Sequence, residues 1–188
     1  MSLSDTPESV RRGPSPMMWI SLGLGAVVAA VLIVVVSLAT GGSATPTNVL
    51  DGTRVASFSI PSLDHGRVVA PWRSGHPAVV LFFASWCGPC TAEIPRVATF
   101  VEHHHLGRVR VVGVDVNDGV SAGRSFVRHA GVRFPVGVDP RSNLSSREFR
   151  LPGLPDTVFV NGDGVVTSVV VGSVSNAQLG DALTTLEG

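Results

Sequence analysis

Val79-Val80-Leu81-Phe82-Phe83-Ala84-Ser85-Trp86-Cys87-Gly88-Pro89-Cys90 is the stretch from which the rest of the chain is read. Val79 to Phe83 is β-branched, aliphatic and aromatic without a charge, so it predicts a strand covered on both faces of a sheet. Gly88 permits a tight bend after it, and Pro89 suits the first turn of a helix, where a missing N–H costs nothing. Cys87 then falls at a helix N-terminus, whose free N–H groups and dipole favour a thiolate over a thiol. Cys90 follows one turn on, near enough to close a small disulfide ring. No other cysteine occurs in the 188 residues. The pair therefore points to thiol–disulfide exchange, with Cys87 attacking and Cys90 resolving.

Outward from this stretch, Cys90 to about His105 is predicted as a helix that Gly107 can end, with Pro95 expected to kink it. Val109 to Val116 is a second apolar strand, which completes a βαβ unit. Ser121 to Ala130 is predicted helical, Val136 to Val138 a short strand, and Leu144 to Phe149 a short helix. Thr157 to Val160 and Val165 to Val171 are β-branched runs joined by Asn161-Gly162-Asp163-Gly164, the turn chemistry of a hairpin. Asn176 to Leu186 closes the chain as a helix with Leu179, Leu183 and Leu186 on one face. The class is α/β: a central mixed sheet, parallel strands first and an antiparallel hairpin last, with helices on both faces.

Phe83 to Cys90, followed by Glu93-Ile94-Pro95, resembles the active-site segment of the membrane-anchored thioredoxin-like proteins of the TlpA/ResA type. Phe134-Pro135-Val136 with Asp139, then Gly153-Leu154-Pro155-Asp156-Thr157-Val158-Phe159-Val160 and Asp163-Gly164, follow in the order that family has. The resemblance spans Ser57 to Leu186 and implies a thioredoxin-like fold with an insertion over Asp115 to Phe149. It implies a thiol–disulfide oxidoreductase cycling through Cys87 and Cys90, with no cofactor and no metal. It also implies that Trp86, with Gly88 and Pro89, forms part of the partner-binding surface. Pro155 matches the family's cis-proline facing the cysteines, and Leu154 before it would offer backbone hydrogen bonds to an extended substrate segment. Ordinary thioredoxins keep a buried aspartate on the strand before the cysteines where Leu81 stands here. Glu93, an acid where the family has one, is thus the proton-handling candidate. The implied partners are exported cysteine-containing proteins, apocytochrome c among them, and an integral membrane protein that donates electrons.

Met17 to Leu38 is 22 residues without a charge, and as a helix it would span about 33 Å, the hydrocarbon core of a bilayer. A cleaved signal peptide is the alternative, but its apolar core is usually about 7–15 residues and no clear small-x-small site follows. Arg11 and Arg12 precede the span and the first charge after it is Asp51, which places residues 1–16 in the cytoplasm and the C-terminal domain outside. The expected organisation is a tail over 1–16, an anchor over 17–38, a linker over 39–50 and a thioredoxin-like domain over 51–188. The formal net charge is zero and all 14 basic residues are arginine, with no run longer than Arg11-Arg12, so nothing suggests nucleic acid.

Each candidate has a plainer reading. Zinc wants four ligands, and His103-His104-His105 would lie about 21 Å of helix axis beyond Cys90, too far to share an ion. Thr91 after Cys90 excludes covalent haem attachment. Trp86 could be a packed aromatic, Glu93 an exposed acid at a helix start, and Pro155 an ordinary turn proline. The rival functions are a disulfide-forming oxidase, a Cu(I) chaperone, and a peroxiredoxin, which places Thr or Ser where Ala84 stands.

Overall fold

The computed structural model describes residues 50–188. The expected tail over 1–16, the anchor over 17–38 and, but for Leu50, the linker over 39–50 lie outside the described residues. Among the described residues no helix is long and apolar enough to cross a membrane.

The apolar runs become strands and the chain between them becomes crossovers. A hairpin of β1 (Ser59–Pro61) and β2 (Arg67–Val69) leads into a 3-10 turn at Pro71–Ser74. Then follow β3 (Ala78–Phe83), α1 (Cys90–His103), β4 (Arg110–Val116), α2 (Val120–His129) and β5 (Val136–Asp139). A π-helical turn at Leu144–Glu148 precedes β6 (Asp156–Val160), β7 (Val166–Val171) and α3 (Asn176–Glu187). The five-stranded sheet has the order β5-β4-β3-β6-β7. β3, β4 and β5 are parallel, while β6 runs antiparallel to both β3 and β7.

β3 is central, and every one of its residues is buried. Val79, Leu81 and Phe83 face a core shared with Ile94, Val97 and Phe100 of α1, Phe126 of α2, and Leu179, Leu183 and Leu186 of α3. Ala78, Val80 and Phe82 face a second core with Phe58, Val68, Trp72, Leu144 and Phe149. All three α-helices thus pack on one side, where sequence reading placed helices on both. The reason lies in chirality: β3→β4 and β4→β5 step the same way across the sheet, and right-handed crossovers put α1 and α2 on the same face. The other face is covered by the β1–β2 hairpin and the two helical turns, tied together by edge-to-face contacts of Phe58, Trp72 and Phe149.

Pro95 lies inside α1, which continues past it as an α-helix to His103. Ser175 caps α3, accepting a hydrogen bond from the Gln178 N–H while the Gln178 side chain reaches back to the Ser175 N–H. The register gathers the loops that matter. Phe83 lies opposite Asp115, Val116 opposite Asp139, and Asp156 opposite both Phe82 and Val171. Hence the turn after β3, the β4–α2 loop, the segment before β6 and the segment after β7 all meet at one end of the sheet. Ligand sites of open α/β sheets form at such an end, outside the carboxyl ends of the parallel strands.

Candidate active site

The turn that leaves β3 carries the cysteines. Its first bond runs from the Cys87 N–H to the Ala84 carbonyl at 3.2 Å, and Pro89 is the N-cap of α1. Cys87 and Cys90 are joined as a disulfide, their Cα atoms 5.3 Å apart. Cys90 is wholly buried while Cys87 keeps 4% of its surface, so Cys87 is the sulfur that a second molecule can reach. The Cys90 N–H points at the Cys87 sulfur at 3.3 Å. In the reduced state that donor, with the N-terminal dipole of α1 behind it, favours a thiolate on Cys87. Gly88 and Pro89 are exposed at the tip of the turn.

Trp86 is 60% exposed, an unusual position for the largest side chain, and its indole N–H donates to the Asn117 carbonyl at 3.0 Å. The packed-aromatic reading therefore does not hold. Beside it the Ser85 N–H donates to Asp118 Oδ2 at 2.7 Å. The β4–α2 loop thus grips the cysteine turn at two consecutive residues, and Asn117 adopts a left-handed conformation with φ of 49° to do so.

Glu93 retains 2% of its surface, which removes the exposed-acid alternative. Its Oε1 accepts the Val174 N–H at 2.9 Å, and its Oε2 is buried without a partner among the described residues. Burial raises its pKa above the ordinary 4.5, against the hydrogen bond from Val174 and the pull of Arg96. A carboxyl so placed holds its proton to a higher pH than an exposed one. The Leu154–Pro155 peptide bond is cis, as expected, with Pro155 buried and Leu154 half-buried against both cores. The pairing of Asp156 with Phe82 sets this segment at the same end of the sheet as the cysteine turn.

Sequence reading missed three acids here. Asp156 is buried, with Oδ1 accepting the Gly172 N–H at 3.0 Å and Oδ2 the Gly153 N–H at 3.4 Å, and burial raises its pKa. Asp115 is buried on β4, and burial, reinforced by neighbouring Asp118, pushes its carboxyl up to about 8. Asp118 itself is lowered, because hydrogen bonds from Ser85 and Gly119 outweigh its partial desolvation. A carboxylate inside the otherwise apolar run Val111 to Val116 was the available signal for Asp115. His103 and His104 bond back to the Thr99 and Phe100 carbonyls at the far end of α1, away from the cysteines.

Comparison with known proteins agrees with this geometry. The thiol-disulfide oxidoreductase ResA of Bacillus subtilis is 26% identical over 134 residues, 71% of this chain and 74% of its own length. Among solved structures, MTB dsbF, in mixed oxidized and reduced forms, has a TM-score of 0.61 at 32% identity, covering 69% of this chain and 94% of that one. A secreted Mycobacterium tuberculosis disulfide oxidoreductase homologous to E. coli DsbE has a TM-score of 0.60 at 25% identity, covering 69% of this chain and 96% of its own. The likeness to ResA-type proteins read from the motifs is borne out, and so are the thioredoxin-like fold and the assignment as a thiol–disulfide oxidoreductase. The model of the AhpC/TSA family matches residues 52–169, and the chain belongs to that family.

Proposed function

We propose that the protein is a membrane-tethered, extracytoplasmic oxidoreductase that reduces disulfides of exported cysteine-containing proteins. The observation that carries the chemistry is the pairing of a reachable Cys87 sulfur, with the Cys90 N–H aimed at it, and a buried Glu93 on the same helix. The Cys87 thiolate attacks one sulfur of the partner disulfide, that S–S bond breaks, and one partner thiolate leaves. Cys90 then gives up its proton, for which Glu93 is the acceptor, and attacks the Cys87 sulfur. The mixed disulfide breaks and the second partner thiolate departs. Two electrons have passed to the partner, and the enzyme holds the Cys87–Cys90 disulfide seen here.

Trp86, Gly88 and Pro89 form the exposed rim on which the partner rests, and Leu154 beside the cis-proline offers main-chain hydrogen bonds to its extended segment. The charge-free span over 17–38, with Arg11 and Arg12 before it, supports a tether with the catalytic domain over 51–188 outside the cytoplasm. An integral membrane donor would restore the dithiol, and apocytochrome c is one acceptor that the resemblance suggests. Trapping tests the reading: Cys90→Ser in the parent cell should accumulate mixed disulfides through Cys87 with exported proteins. An equilibrium potential near the oxidising end of the thioredoxin-fold range, about −120 mV, would instead make the protein a disulfide-forming oxidase.

A further inference from the structure

Asp115 and Asp118 stand behind the cysteine turn and are not used by the exchange mechanism. Asp115 has 1% of its surface exposed, and neither carboxyl oxygen meets a hydrogen-bond donor among the described residues. Its Oδ2 presses against α2 at Gly123, so closely that a Cβ on that glycine would lie 1.9 Å away. On β3 and β5 its register neighbours are Phe83 and Val138, both uncharged. Leu63, from the β1–β2 connection, reaches the same Gly123, and Arg124, next to Gly123 on α2, is committed to the Leu63 carbonyl. The charged group that acts on Asp115 is Asp118. On the cysteine turn itself only the thiols of Cys87 and Cys90 titrate, and in the oxidised protein they do not.

Two carboxylates cannot bond to each other, but a carboxylic acid can donate to a carboxylate. With a proton on Asp115, Asp118 is its acceptor, and Asp118 also accepts the N–H groups of Ser85 and Gly119, each at 2.7 Å. With that proton gone, Asp115 is a buried anion facing a second anion and no donor, and the arrangement is unfavourable on both counts. The element free to yield is the β4–α2 loop, because it lies outside the sheet, with Asn117 and Gly119 exposed and Asp118 only half-buried, while Asp115 is locked in β4. That loop is what holds Ser85 and, through the Asn117 carbonyl, Trp86.

We propose that Asp115 and Asp118 are a proton-sharing pair of positioning residues: the shared proton keeps the β4–α2 loop seated against Ser85 and Trp86, and its loss releases the partner-binding rim. The functional consequence rests on the exchange activity proposed above, but the device does not, since it operates with the disulfide closed. It would weaken partner docking as the surroundings turn alkaline, separately from the rise in thiolate that alkalinity brings.

The test uses the oxidised full-length protein, in which no thiol titrates. Tryptophan emission is followed from about pH 6 to about pH 9.5, with Trp86→Phe subtracted to remove Trp19 and Trp72. The expected result is one transition centred at about 8. Asp115→Asn can donate to Asp118 at every pH and should abolish the transition. Asp118→Asn removes the like charge and supplies a donor, and should move the midpoint down by about one unit or more. In steady-state reduction of a peptide disulfide, KM should rise through the transition in the unsubstituted protein and stay level in Asp115→Asn. A flat emission curve, a transition that survives in Asp115→Asn, or an unmoved midpoint in Asp118→Asn would overturn the pair. Because emission needs neither turnover nor partner, such a failure is distinct from that of the proposed activity, whose own sign would be the absence of mixed disulfides in Cys90→Ser.

Discussion

The two cysteines divide one reaction by their access. Cys87→Ser should abolish exchange, since Cys90 is wholly buried and cannot meet a partner. Glu93→Gln tests the proton acceptor: burial holds Glu93 above 4.5, so an ionised carboxylate is lost as pH falls through that raised value, and resolution should slow with it. The glutamine variant should resolve more slowly than the unsubstituted protein at neutral pH and lose that acid limb, which stopped-flow release of a mixed disulfide would record. Trp86→Ala removes a mostly exposed side chain, so stability should change by no more than about 0.5–1 kcal/mol. KM for protein disulfides should rise severalfold in the same variant, and a fall in melting temperature without any change in KM would return Trp86 to a packing role.

Among the elements, α2 is fitted to the sheet through the one residue it lacks. Gly123 makes room for the Asp115 carboxyl, so Gly123→Ala should destabilise the fold by about 1–3 kcal/mol through overpacking. In an Asp115→Ala background the same substitution should cost much less, and urea unfolding of the four proteins completes that cycle. This coupling also shows where sequence reading ends. β3, β4, β6 and β7 were legible because each is a run of valine and its kin, and α3 because Leu179, Leu183 and Leu186 recur at helical spacing. The cysteine turn and cis-Pro155 were legible because their chemistry is written in consecutive residues. The β1–β2 hairpin was not, since its strands are three residues each and too short to show a period. Nor were Asp115, Asp118 and Asp156, whose burial and partners are set by strand register and loop docking, quantities that no local pattern contains.

For the whole molecule, the buried acids set the direction in which stability moves with pH. Glu93, Asp115 and Asp156 all have raised pKa values when folded, so between the ordinary carboxylate range and about 8 the folded state holds protons that the unfolded chain has released. The slope of unfolding free energy with pH is then negative, and stability should fall as pH climbs from about 5 to about 8.5. The urea midpoint of the oxidised protein should be higher at the acid end, and Asp115→Asn should flatten the trend. A thiol–disulfide oxidoreductase acting on cysteine-containing protein substrates meets an added hazard, because a bare rim of β-sheet invites a stray strand to zip onto it. On β5 that rim is already occupied: the Leu63 N–H bonds the Val136 carbonyl at 2.8 Å, and Ser62 bridges Gly137. The short connection between β1 and β2 therefore works as a selvedge, sealing the outermost parallel strand so that client chains are drawn to the sulfur and not to the fabric of the sheet.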